Sequence, residues 1–207
     1  MEFEKFPKIP RLNRQVTITE KIDGTNAQIF WVEANSEEVL AAHKADPDCN
    51  GVYPGIADGD SAMALYIGSR NKWISPTNDN YGFAKWVMEN VEELRKLGPG
   101  RHFGEWWGLG IQRGYGVESK RFSLFNTHIW RDGRRPRPAC AGVVPVLFEG
   151  TARGEAEDCL SRLRNEGSVA APGFMNPEGI VVWHSATRGY TKATCKNDDQ
   201  PKGKVEE

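Results

Sequence analysis

Gln15-Val16-Thr17-Ile18-Thr19-Glu20-Lys21-Ile22-Asp23-Gly24-Thr25-Asn26-Ala27-Gln28-Ile29 alternates apolar and polar residues on both sides of an Asp-Gly pair. Successive side chains of a strand point to opposite faces, so Val16 and Ile18 mark one buried face and Ala27, Ile29 and Trp31 another. The stretch predicts two strands, over 15–20 and 26–33, joined at Asp23-Gly24. Asp-Gly is also a strong hairpin signal, and on that reading Lys21 is a solvated strand-end lysine before a tight turn. Lys21-Ile22-Asp23-Gly24 alone does not separate this from a catalytic lysine.

Outward from this pair, Ser36-Glu37-Glu38 has the form of a capped short helix running to about Lys44, followed by a loop rich in Gly, Pro and Asp over 46–60. A strand is expected over 62–69. Phe83, Trp86, Val87, Val91, Leu94 and Leu97 then fall on one helical face, with capping candidates at Asn78 to Asn80 and a stop at Gly98-Pro99-Gly100. A second amphipathic helix carries Ala156, Cys159, Leu160 and Leu163 and ends near Gly167. Strand-like runs occupy 102–107, 121–130, 143–148, 179–184 and 190–196. Many strands with few helices and no regular βαβ alternation argue an α+β fold of antiparallel sheets flanked by helices.

The chain's 207 residues suit one large domain or at most two small ones. With 27 Lys plus Arg against 28 Asp plus Glu, the formal net charge of −1 excludes a histone-like or polybasic binder, though not a local basic patch. No apolar run reaches the roughly 18 residues needed to cross a bilayer, and the acidic start Met1-Glu2-Phe3-Glu4-Lys5 does not read as a signal peptide. A cytoplasmic protein is expected. Cys49, Cys140, Cys159 and Cys195 lie far apart without a C-x-x-C pair, which suits reduced structural thiols better than zinc. His102, His128 and His184 have no partner spacing that assigns them chemistry, and Trp106, Trp107 and Trp183 read as core.

Further segments follow Lys21 in a telling order. Phe103-Gly104-Glu105, Arg121-Phe122-Ser123-Leu124-Phe125-Asn126, Glu178-Gly179-Ile180-Val181-Val182 and Lys192-Ala193-Thr194-Cys195-Lys196-Asn197 come in turn. With Lys21-Ile22-Asp23-Gly24, they resemble motifs I, III, IIIa, IV and V of the covalent nucleotidyltransferases, the superfamily of ATP-dependent DNA ligases, RNA ligases and mRNA capping enzymes. Glu20-Lys21-Ile22-Asp23-Gly24-Thr25-Asn26 and the trailing Thr194-Cys195-Lys196-Asn197 look most like the RNA ligase 2 branch. Two positions depart from the pattern: Thr194 stands where motif V usually has its first lysine, and Asn126 where motif IIIa commonly has an acid.

The resemblance implies a nucleotidyltransferase (ATP-grasp-like) fold, one adenylyltransferase domain over 1–197, and a polar tail over 198–207 in place of a C-terminal accessory domain. It implies ATP and Mg²⁺ (or Mn²⁺), and a lysine amine that attacks the α-phosphate to give lysyl-AMP. AMP then passes to a 5′-phosphate, and a 3′-hydroxyl displaces it. A lysine of pKa about 10.4 is almost wholly protonated at neutral pH, so it must be activated by desolvation or nearby cations. Lys192 and Lys196, four apart and thus on one strand face with Thr194, are the candidates for that and for neutralising the phosphate.

The same resemblance assigns the remaining site. Asp23 orients the lysine turn or a metal water, and Gly24 lets backbone approach the nucleotide. Glu20 meets the adenine edge, Asn26 the phosphates, and Glu105 the ribose hydroxyls. Phe125 stacks on the purine, Arg70 after Ser69 forks a phosphate, and Glu178 coordinates a hydrated metal ion. From 101 to 137 there are eight Lys or Arg against three acids, including Arg113, Arg131, Arg134, Arg135 and Arg137, a stretch suited to tracking a phosphate backbone. The expected enzyme is an ATP-dependent RNA ligase acting on RNA or a nicked duplex, with an accessory protein in place of the missing domain, in a bacterial or phage-infected cell. Its rivals are a minimal DNA ligase, a GTP-using capping-type enzyme and a non-catalytic nucleotide- or RNA-binding module.

Overall fold

The computed structural model describes residues 2–33, 63–131, 133, 135–196 and 198. The helix expected over 36–44, the loop over 46–60 and, apart from Asp198, the polar tail lie outside the described residues. The strands are β1 (Gln15–Lys21), β2 (Thr25–Glu33), β3 (Met63–Ser69), β4 (Gly100–Gly108), β5 (Lys120–Leu124), β6 (Ala141–Val143), β7 (Val146–Thr151), β8 (Gly179–His184) and β9 (Gly189–Thr194). The helices are α1 (Phe83–Glu89), α2 (Val91–Leu94), α3 (Thr127–Trp130) and α4 (Glu155–Glu166), with a 3₁₀ turn over Arg95–Leu97. This is a mixed α+β fold. No described helix is long and apolar enough to cross a membrane.

Two compact units divide the chain, one of residues 1–22 and 145–207, the other of residues 23–144. The first contains the sheet β7-β1-β8-β9. Its β1 pairs antiparallel with β7 and β8, and Val16, Ile18 and Ile180 pack with Cys159, Leu160 and Leu163 of α4. The charges of α4 suit its dipole: Glu155, Glu157 and Asp158 lie in its first turn and Arg164 in its last.

The second unit contains the sheet β3-β2-β4-β5-β6. One face buries Ala27, Ile29, Trp31, Leu65, Ile67, Trp106, Phe122 and Leu124 against Phe83, Ala84, Val87, Leu94 and Leu97 of the helical segment. Asp79 supports the start of that segment, its carboxylate accepting from the backbone N–H groups of Ala84 at 2.8 Å and Lys85 at 3.1 Å.

Several boundaries differ from the sequence reading, each for a local reason. Asp23-Gly24 is not a hairpin turn, because β1 and β2 pair in different sheets and the Gly24 N–H donates to the Glu105 side chain. The helix expected over 83–97 is interrupted at Asn90, whose φ of −116° leaves the helical region and whose side-chain amide donates to the Trp86 carbonyl. The strand expected over 121–130 stops at Leu124, since Asn126 caps α3 by accepting from the Ile129 N–H at 3.2 Å. Pro145 has no N–H to give a ladder, and the run 143–148 splits around it into β6 and β7. The sheets are not wholly antiparallel, because β6 pairs parallel with β5. Trp106 and Trp107 are buried, whereas Trp183 is half-buried. Cys140, Cys159 and Cys195 form no disulfide, and burial pushes the Cys159 thiol up.

Candidate active site

In the unit built from both ends of the chain, the face of the sheet opposite α4 presents Lys21 at the end of β1. Its Nζ lies 2.5 Å from Oε2 of Glu178, a residue 157 positions away that immediately precedes β8. The carboxylate is 3% exposed and the lysine side chain 21%, so the pair is shielded on the acid side and reachable on the amine side. Gly179 pairs with Lys21 on one side and Thr194 on the other. Its φ is +157°, and a Cβ there would stand 2.1 Å from the Ala193 carbonyl oxygen, so this position requires glycine.

The register keeps Lys192 on the face of Lys21 but two strands away, and only Lys196 of the expected pair falls outside β9. Thr194, not a lysine, shares the row of Lys21 and Gly179, while Lys192 is exposed opposite Val181, itself opposite Thr19. Lys196 lies past the end of β9 and donates to Asn176 Oδ1 at 3.1 Å. Thr194 closes the strand end by donating to the Lys196 carbonyl at 2.8 Å. The close partner of Lys21 is therefore an acid.

Glu20 alternates onto the α4 face and is 1% exposed. Its Oε1 accepts from Ser168 Oγ at 2.6 Å, and its Oε2 from the backbone N–H groups of Val169 at 2.8 Å and Ala170 at 2.9 Å. Burial holds its pKa above the ordinary value, against the lowering effect of those hydrogen bonds. Instead of offering its carboxylate to an adenine edge, it fastens the 168–170 segment to the strand that carries Lys21.

In the other unit, Asp23 and Gly24 are held by β4 and the loop after it. Asp23 Oδ2 accepts from Arg113 Nε at 2.9 Å, and the Asp23 N–H donates to the Tyr115 hydroxyl at 2.8 Å. Tyr115 is 1% exposed, edge-on to Trp107, and adopts a φ of +54° in a loop where Gln112 also has positive φ. The Gly24 N–H donates to Glu105 Oε1 at 3.1 Å. A Cβ at Gly24 would lie 2.4 Å from the Trp106 carbonyl oxygen, so its missing side chain admits β4. Asn26 pairs with Glu105 in the next row, and Arg70 is exposed just past Ser69, which pairs with Ala27. Phe125 is 38% exposed at the end of β5, its N–H bonded to the Phe103 carbonyl, and so offers an accessible ring.

Arg113, a candidate for the phosphate backbone on sequence grounds, is taken by Asp23. Tyr115 in one unit and Ser168 in the other hold candidate residues, Asp23 and Glu20, without having been candidates themselves. Gly114-Tyr115-Gly116 signals an unusual turn, but nothing local marks the hydroxyl's partner 92 residues away. Of the remaining arginines, Arg131, Arg135 and Arg137 are exposed, and Arg134 lies outside the described residues.

No cluster of three or more His, Cys, Asp or Glu side chains occurs among the described residues. Mg²⁺ keeps most of its water and takes one or two carboxylates plus substrate phosphates. Glu178, a buried carboxylate at the amine, fits that donor set.

A family model described as RNA ligase matches residues 14–198. No curated protein matches. Among solved structures, Naegleria gruberi RNA ligase with PPi is similar over 91% of this chain and 53% of its own, at 16% identity and a TM-score of 0.54. A mutant of that ligase with ATP and Mn aligns over 89% of this chain and 51% of its own, at 15% identity and a TM-score of 0.55. Another, with AMP and Mn, aligns over 88% and 50%, at 15% identity and 0.54. The chain spans about half the length of the solved structures it matches.

Proposed function

The chain belongs to the RNA ligase family, and from that premise we propose that it joins RNA 3′-hydroxyl and 5′-phosphate ends using ATP. The family match runs through both units, which supports reading 1–197 as one adenylyltransferase domain of nucleotidyltransferase (ATP-grasp-like) fold. The observation that carries the reading is the 2.5 Å contact of Lys21 with Glu178, since the two motif residues on which the chemistry depends meet across 157 positions.

In the first step the Lys21 Nζ lone pair attacks the α-phosphorus of ATP, the bond to the β-phosphate oxygen breaks, and pyrophosphate leaves. The Glu178 carboxylate orients the amine but favours its ammonium form, so the amine is freed to attack when a cation takes that carboxylate. Glu178 would hold a divalent ion, which would supply charge neutralisation at the phosphates. Arg113 and Tyr115 hold Asp23, two residues after the lysine, in place. Lys192, Lys196 and Arg70 are cations for phosphate oxygens, and Phe125 is the ring for the purine. Next, a 5′-phosphate oxygen of RNA attacks the phosphorus of lysyl-AMP and frees the amine. The 3′-hydroxyl then attacks the activated 5′-phosphate and AMP departs. RNA, as a strand or in a nicked duplex, is the proposed substrate, and a cytoplasmic setting accords with ATP use.

Incubation with α-labelled ATP and Mg²⁺ tests the reading. Label should become covalently attached to the wild-type protein, map to Lys21 and vanish in Lys21→Ala. GTP should give none, which separates the ligase from a capping-type enzyme. A wild-type protein that takes up no label from ATP or GTP, yet binds nucleotide or RNA, would be a binding module instead. Nicks with RNA or DNA at the 3′-hydroxyl side distinguish RNA sealing from DNA sealing.

A further inference from the structure

On the second unit's sheet, the face opposite its core carries an aromatic group that the lysyl-AMP chemistry does not use. Phe30 of β2 pairs with Tyr66 of β3 and Arg101 of β4, and Trp73 bridges to Gly68 beside β3. The Phe30 and Trp73 rings stack 16° from parallel with centroids 6.4 Å apart, and Tyr66 leans on Trp73 at 5.3 Å. The Arg101 guanidinium lies over Phe30, 3.9 Å from the ring centre, and 5.4 Å from that of Trp73. Gln28 steadies it, accepting from Arg101 Nη1 at 3.4 Å. Trp73 is 38% exposed and Phe103, opposite Gln28, 45% exposed.

Here a guanidinium and an indole are accessible together, flanked in sequence by the exposed cations Arg70 and Lys72. The rows of Phe30 and Phe103 on this face hold no acid among the described residues. Unpaired bases stack on aromatic rings and on arginine planes, and a cationic rim holds their phosphates. Phe30 lies four residues along β2 from Asn26, about 13 Å at roughly 3.3 Å per residue. A strand whose end lies by Asn26 and Glu105 therefore needs only a short reach to place its following bases on Arg101 and Trp73.

We propose that Trp73 and Arg101, backed by the half-buried Phe30 and the buried Tyr66, form a shelf that stacks unpaired bases of the RNA strand being joined. The inference rests on the ligase reading for its ligand and adds the place where the strand is held. Being a stacking site, it is tolerant of base identity.

The test is the affinity of full-length protein for end-labelled single-stranded RNA, read by fluorescence anisotropy at one fixed salt concentration. Trp73→Ala and Arg101→Ala should each weaken binding by about five- to hundredfold. Trp73→Phe should restore most of it, and Arg101→Lys, which keeps charge without the plane, should not. An oligonucleotide with abasic sites should bind equally to wild type and Trp73→Ala. Melting curves confirm that each variant is folded at the temperature of measurement. Wild-type affinity in both alanine variants, or no RNA binding by the wild type, overturns the shelf. Covalent labelling from ATP is scored separately: labelling with unaltered RNA affinity in the variants sinks the shelf alone, whereas shelf-dependent RNA binding without labelling sinks the ligase reading alone.

Discussion

A single methyl group at residue 179 brings local stereochemistry and function together. In Gly179→Ala the new carbon meets the Ala193 carbonyl, at a φ few L-residues accept. The cost should be about 1–3 kcal/mol or more, lowering Tm by about 3–10 °C in a chain of this size. Since Glu178 is next door, covalent labelling from ATP should fall as well. Glu20 gives a pH test. Its carboxyl titrates near 4.5 when exposed and higher when folded, so the folded state binds the proton more tightly. Stability from this group is thus complete below about pH 4.5 and declines as pH rises through the folded pKa. Glu20→Gln keeps an acceptor for Val169 and Ala170 and can donate to Ser168, but does not ionise. Its Tm relative to wild type should rise with pH from about 4.5 and then level off. A difference that is flat or falls across that range would refute the assignment. At this scale Lys21 and Glu178 stand out in the sequence by motif order, and the structure brings them into contact. The partner of Glu20 is hidden because it comes from a segment 148 residues away that carries no signature.

The loop from 109 to 119 acts as an element without regular structure, whose two side chains hold the Asp23 turn. Tyr115→Phe removes the acceptor of the buried Asp23 N–H, and an orphaned donor there should cost about 1–3 kcal/mol. Labelling of Lys21 should slow by about tenfold or more, because small misplacements of a nucleophile are expensive. An unchanged rate would show that the turn is held by its other contacts alone. Strand and helix cores are readable from the alternation in 15–21 and the 3.6-residue spacing of Cys159, Leu160 and Leu163. Ends are less so. Asn126 reads as a cap only once the Ile129 N–H is seen to need it, and Pro145 interrupts a run whose apolar content is unbroken. The strand partners of β1 are not readable at all, since an Asp-Gly pair advertises a hairpin and only the burial of Ile22 and the claim of Glu105 on Gly24 decide otherwise.

For the molecule as a whole, a net charge of −1 means that the proposed RNA affinity would come from local arrangement rather than bulk attraction. If the exposed Arg131, Arg135 and Arg137 track phosphates, replacing all three with alanine should flatten the dependence of log affinity on log salt by about 0.7 for each phosphate no longer neutralised. A slope equal to that of the wild type would show this stretch to be a solvated edge. The family, the α+β class and the motif order are legible from end to end, whereas the division into two units is not, because composition does not change at 22 or 145. That division has a consequence for biosynthesis. β1 leaves the ribosome first, yet both of its neighbours, β7 and β8, are encoded after the whole inserted unit of roughly 120 residues. At about 5–20 residues per second it waits roughly 6–24 seconds with both edges bare, while the inserted unit has every strand of its own sheet already in hand. Translational pausing before codon 145 should therefore leave nascent chains with one finished half and one sticky ribbon, and chaperone demand should peak there.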